Sequence, residues 1–74
     1  MQKDDLIQAI IKKTGLSKRQ ATEALRVVLD EIIKALSKGE EVVLTGFGKF
    51  LIKERKGIKL PKFKPGQTLK DAVK

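Results

Sequence analysis

The sequence predicts an α+β domain that assembles as a homodimer. It has two N-terminal helices, a three-stranded antiparallel sheet with a tight hairpin, and a short C-terminal helix. Three observations carry this reading. Apolar residues recur at helical spacing as far as Gly39 and at strand spacing after Glu40. The second helix presents an apolar arc too wide for one neighbouring helix to cover. Lys56-Gly57 separates two strand-like runs by two residues, the length of a tight hairpin turn. Residues 1–39 are therefore expected to form a helical dimerisation base, residues 40–64 the sheet and residues 65–74 the last helix, all within a single domain.

"DDLIQAIIKKTG" reads as a short amphipathic helix, with Leu6, Ile7, Ile10 and Ile11 on one side. Asp4 and Asp5 suit the positive end of the helix dipole, and Lys12 and Lys13 the negative end. Gly15 is a natural stop. The next helix opens with Ser17 and Gln20 in the S-x-x-Q spacing of a capping box, with Leu16 before it as a staple residue, and ends at Gly39. Its apolar positions are Ala21, Ala24, Leu25, Val28, Leu29, Ile32, Ile33 and Leu36. At ~100° per residue they cover an arc of roughly 180°. The surplus is expected to meet another copy of the chain, the sheet being the alternative cover.

Strand chemistry follows. Val42–Leu44 is a short strand, and Thr45-Gly46-Phe47-Gly48 a turn. Alternation puts Phe50 and Ile52 on one face of the second strand and Lys49, Leu51, Lys53 and Arg55 on the other. A two-residue turn at Lys56-Gly57 pairs Phe50 with Phe63 in the third strand, "IKLPKF". The same register leaves Ile58 and Leu60 beside Lys53 and Arg55 on the outer face, so Pro61 is read as a bulge that resolves the conflict or as a mark of an edge strand. Lys64-Pro65-Gly66 turns the chain, and Gln67 or Thr68 starts a last helix with Leu69, Ala72 and Val73 inward.

A core of 74 residues is marginal on its own. With no Cys and no His, disulfides are excluded and zinc or haem ligation is not expected, so a partner subunit is the remaining common support. No cofactor, metal or small-molecule substrate is expected. "MQKDDLIQAIIKK" carries acids where a signal peptide has its apolar stretch, and no apolar run reaches membrane-spanning length, so a cytoplasmic protein is expected.

The net charge of +8 is unevenly placed: residues 1–46 carry +1 and residues 47–74 carry +7. A general solubility device would be spread evenly, whereas this concentration fits a polyanion-binding face. No Ser-His or Cys-His pair is available, so a catalytic constellation of that kind is ruled out, and no enzyme is expected. "TGFGKF" lacks the Gly-Lys-Ser/Thr of a phosphate-binding loop and reads first as a hairpin turn, although its two glycines can offer backbone N–H groups to a phosphate. The three Phe residues are read as structural. Phe50 and Phe63 belong in the core and Phe47 at a dimer interface, which argues against single-strand binding by base stacking.

"KDDLIQAI", "GLSKRQATEAL", "LTGFGKF" and "PKFKPGQTLKDAVK" resemble, nearly end to end, a bacterial histone-like DNA-binding protein of the HU/IHF family. The Gly-Phe-Gly-x-Phe run, followed by Phe-x-Pro-Gly and Leu-Lys-Asp-Ala-Val, is specific to that resemblance. It implies an obligate, intertwined homodimer in the bacterial nucleoid, with helical hairpins as a base and a saddle of strands above. It also implies two long β-ribbon arms that wrap duplex DNA through the minor groove, each with a Pro at its tip that wedges between base pairs. Binding in the family is largely independent of sequence.

The chain departs from the family where the hairpin turns. The family's arm, with an Arg-Asn-Pro-x-Thr-Gly tip, would follow "KERK", but Gly57 leads straight into "IKLPKF". Pro61 and Pro65 match the family's strand and pre-helix prolines, not the wedge. The chain thus reads as armless, by engineering or as a natural relative. By the resemblance, Lys53 and Arg55 correspond to basic saddle residues at the arm base. Lys3, Lys70 and the Gly46–Gly48 turn correspond to positions that approach phosphates along the flanks. Gln67 stands where the family often has Lys, which weakens one flank contact. Lys49, Lys56, Lys59 and Lys62 join the candidate DNA-binding set by charge and location only. Leu25, Leu29, Ile32, Leu36, Phe47, Phe50 and Phe63 are the expected dimer core.

Two functions follow as expectations. One is weak, salt-dependent binding of the double-stranded DNA backbone with little bending. The other is a dimeric scaffold without significant DNA binding. RNA binding is a lesser variant of the first.

Overall fold

The computed structural model describes all 74 residues. Its elements are α1 (Lys3–Thr14), α2 (Lys18–Ser37), β1 (Val42–Leu44), β2 (Gly48–Arg55), β3 (Ile58–Pro65) and α3 (Gln67–Ala72). The chain divides into two compact units, Met1–Glu31 and Ile32–Lys74.

In the first unit, α1 starts one residue earlier than the periodicity predicts. The Gln2 backbone N–H donates to the Asp5 carboxylate at 2.6 Å, so Asp5 satisfies a donor at the helix start as well as suiting the dipole. Gly15 closes the helix, its N–H donating to the Ile11 carbonyl at 2.9 Å. The capping box of α2 forms in both directions. The Gln20 N–H donates to Ser17 Oγ at 3.1 Å, and the Ser17 N–H donates to Gln20 Oε1 at 3.0 Å. Ile7 and Ala21 are the only buried apolar side chains in the whole chain. Leu25 is half-buried, and Val27, Val28 and Leu29 are exposed.

In the second unit, α2 ends in a paired C-cap: the Gly39 N–H donates to the Leu36 carbonyl and the Glu40 N–H to that of Ala35, both at 3.0 Å. Ile32 and Leu36 are half-buried here, while Ile33 is 66% exposed. The three strands form an antiparallel sheet in the order β1-β2-β3. The hairpin is the predicted two-residue turn, with Arg55 opposite Ile58 and positive φ at both Lys56 (53°) and Gly57 (78°). That pair of left-handed residues matches the strand twist, at a cost of about 1–2 kcal/mol for the lysine.

The register agrees with the sequence at its main point: Phe50 faces Phe63. The bulge at Pro61 does not occur, since pairing is continuous from Gly48↔Pro65 to Arg55↔Ile58. Pro61 is tolerated because β3 is an edge strand. The closing pair of a two-residue hairpin is hydrogen-bonded, and bonded and non-bonded pairs then alternate. Ile52↔Pro61 and Gly48↔Pro65 both fall at non-bonded positions, where the missing proline N–H would have pointed away from β2. The Gly66 N–H continues the alternation, donating to the Phe47 carbonyl at 2.8 Å. β3 runs two residues beyond the predicted end, through Pro65. In α3, Leu69 is half-buried, but Ala72 and Val73 are exposed in the single chain, contrary to the inward placement expected.

Candidate nucleic-acid interface

Continuous register assigns every strand residue to a face. One face carries Val42, Phe50, Ile52, Pro61 and Phe63, with Glu54 opposite Lys59 near the hairpin. The other carries Lys49 opposite Lys64, Leu51 opposite Lys62, Lys53 opposite Leu60 and Arg55 opposite Ile58, with Val43 beside Lys49. Five cations therefore share one face of a three-stranded sheet.

The apolar face is organised by its aromatics. The Phe63 ring lies 4.9 Å from that of Phe50 and 5.4 Å from that of Phe47, both tilted. Phe47, expected at an interface, thus belongs to the same cluster as Phe50 and Phe63. Phe47 is 51% and Phe63 39% exposed in the single chain.

The cations of the basic face are largely free. Three ion pairs form in the chain, and only Lys49, which meets Glu41 at 3.3 Å, comes from this face. Lys53, Arg55, Lys62 and Lys64 have no carboxylate partner, and neither does Lys56 at the hairpin tip. Unpaired cations held on a sheet face can neutralise phosphates without first giving up an internal partner.

The structure divides the candidate residues. Lys49, Lys53, Arg55 and Lys62 share the basic face, with Lys56 at its end. Lys59 lies on the opposite face, across from Glu54, because one residue along a strand reverses the side. Lys70 lies in α3, and Lys3 opens α1 in the other unit. Gly46 and Gly48 flank the tip of the β1–β2 turn, where steric reasons for glycine are clear. A Cβ on Gly48 would lie 2.5 Å from Phe63 Cζ and 2.6 Å from the Lys64 carbonyl oxygen, and one on Gly46 3.2 Å from Thr68 Oγ1. Lys64 was missed by charge and resemblance alone. The Phe50–Phe63 pairing predicted from the sequence already implies it, since Lys49 and Lys64 are the next pair along.

The family described as bacterial DNA-binding protein matches residues 1–59. DNA-binding protein HU of Geobacillus stearothermophilus is 46% identical over 90 residues, covering 100% of both chains. Among solved structures, a variant of HU from Thermotoga maritima superposes with a TM-score of 0.91 at 43% identity, covering 100% of both chains. An Anabaena HU–DNA cocrystal structure gives 0.86 at 28% identity, covering 99% of this chain and 97% of the other.

Proposed function

The chain belongs to the bacterial DNA-binding protein family that includes HU, and from that premise we propose that it is an armless homodimer that binds duplex DNA without sequence preference. The observation that carries the reading is the row of unpaired cations on one sheet face: Lys53, Arg55, Lys62 and Lys64, with Lys56 at the hairpin tip. Contacts of this type follow the phosphates and carry no base information. The Anabaena relative of this fold was crystallised together with DNA, which supports assigning the same partner here.

The homodimer is supported by the apolar side chains that the single chain leaves exposed. Leu29, Phe47 and Phe63, exposed here, together with half-buried Leu25, Ile32, Leu36 and Phe50, are the residues that dimerisation would bury.

The absence of an arm is supported by two observations. The hairpin closes in two residues at Lys56-Gly57. The alignment to the Geobacillus protein runs over 90 positions while this chain has 74 residues, so at least 16 positions face a gap. Without a ribbon to reach around the duplex, contact is confined to the sheet face and flanks. Affinity is therefore lower and bending slight, and the site of action is the bacterial nucleoid. The matched relatives are DNA-binding proteins, not enzymes.

Substitution of Lys53 and Arg55 by Ala tests the assignment. Each change is expected to weaken duplex binding to the same degree for unrelated sequences and to lower the salt slope by about 1. Unchanged binding in the double variant would remove the sheet face from the interface. A folded dimer that ignores duplex DNA at low salt would instead support the scaffold reading.

A further inference from the structure

The two edges of the sheet differ. β1 pairs with β2 only from Val42↔Phe50 to Leu44↔Gly48, whereas β3 pairs with it as far as Arg55↔Ile58. Residues 51–55 therefore have a neighbouring strand on one side only. The reason lies at the end of α2. Glu40 would face Ile52 if β1 were longer, but its N–H donates to the Ala35 carbonyl at 3.0 Å and closes the helix instead. Ile52 and Glu54 fall at non-bonded positions of the β2–β3 ladder, so the N–H and C=O of each point toward the side that β1 leaves open. On the other edge, the outward positions of β3 include Pro61 and Pro65, which cannot donate. Prolines blunt that edge, and no proline blunts this one.

Apolar side chains of a second protomer cannot satisfy the open edge. Buried N–H and C=O groups need hydrogen-bond partners, so in a dimer these groups are either hydrated or paired with a strand. Charge selects the strand. Lys53 and Arg55 border the edge on the basic face, and neither has a carboxylate partner. A second copy, paired antiparallel so that both free residues are engaged, would set Lys53 opposite its own equivalent, like charge on like. A strand with acids at two alternate positions would instead set one opposite Lys53 and one opposite Arg55, both on the basic face.

We propose that the edge of β2 at Ile52 and Glu54 docks an extended acidic segment of a partner protein, added antiparallel as a further strand of the sheet. Its backbone pairs with Ile52 and Glu54, and its alternate acids meet Lys53 and Arg55. The site goes beyond the DNA-binding reading and does not depend on it, since the groups that define it are backbone groups.

The experiment combines amide hydrogen exchange with titration of a Val-Glu-Val-Glu-Val peptide, on the unaltered dimer and without duplex. In the free dimer the Ile52 and Glu54 amides should exchange faster than those of Leu51 and Lys53, which bond to β3. Slow exchange at Ile52 and Glu54 before any peptide is added would mean that the partner protomer already covers the edge, and would overturn the proposal. The peptide should slow both amides about tenfold or more. Methylating the peptide nitrogens of the valines, which would face β2, should abolish binding, whereas methylating those of the glutamates should not. Equal binding of the two would reduce the interaction to charge and overturn the proposal. Glu54→Pro removes one outward donor, as Pro61 does on the other edge, and should weaken the peptide about three- to tenfold relative to Glu54→Thr. Equal affinity of those variants would likewise overturn it. The methylated peptides decide the matter if Glu54→Pro fails to fold.

Discussion

Gly48 has no room for a side chain. The Phe63 ring and the Lys64 carbonyl occupy the space a Cβ would need, and its φ of 155° is one that other residues rarely adopt. Gly48→Ala must therefore displace Phe63, the residue shared by both aromatic pairs. It is expected to destabilise the protein by about 1–3 kcal/mol, measured by equilibrium denaturation at fixed protein concentration. Wild-type stability in this variant would mean that the β1–β2 turn shifts freely and does not anchor the cluster. The turn was legible in the sequence, but the reason for its second glycine was not, because that reason lies 15 residues away at Phe63. The cationic side chains were also read unevenly. Alternation along β2 assigns Lys49, Lys53 and Arg55 to one face without further information. Lys59, Lys62 and Lys64 need the cross-strand register as well. Charge alone puts Lys59 in the candidate set and leaves Lys64 out, whereas the register puts Lys64 on the basic face and Lys59 on the opposite one.

At the scale of elements, the local signals were sufficient where each had a mechanism. The Ser17–Gln20 box and the C-terminal stops at Gly15 and Gly39 all form as hydrogen bonds. The two-residue turn also fixes the Phe50–Phe63 pairing, because loop length determines register. Pro61 was ambiguous because a bulge and an edge position both excuse a missing N–H, and only the completed ladder separates them. Its placement has a further consequence. The outward positions of β3 are Lys59, Pro61, Phe63 and Pro65, so two of the four groups that could recruit another strand are absent. Pro61→Val restores one of them without disturbing a bond to β2. It is expected to change stability by no more than about 0.5 kcal/mol while increasing self-association beyond the dimer, seen as concentration-dependent light scattering. Scattering unchanged from that of the parent would mean that the edge is already covered by other means.

At the scale of the molecule, Ile7 and Ala21 are the only buried apolar side chains, too little to hold 74 residues together. The wide apolar arc of α2 indicated this shortage in the sequence, since Val28, Leu29 and Ile33 remain exposed in the folded chain. Folding and association should accordingly be one event. The thermal midpoint should rise with protein concentration, and a midpoint independent of concentration across a hundredfold range would contradict an obligate dimer. A dimer would also double the basic face, and on the function proposed above that doubling sets the strength and the salt dependence of DNA binding. The most direct test is fluorescence anisotropy of a short labelled duplex titrated with the protein over a salt series. If two to four cations from each protomer engage phosphates, the slope of log K against log salt should lie between about −4 and −7, with binding still measurable near physiological salt. A slope near zero, or no binding even at low salt, would contradict the account and leave a dimer whose basic face serves some other purpose.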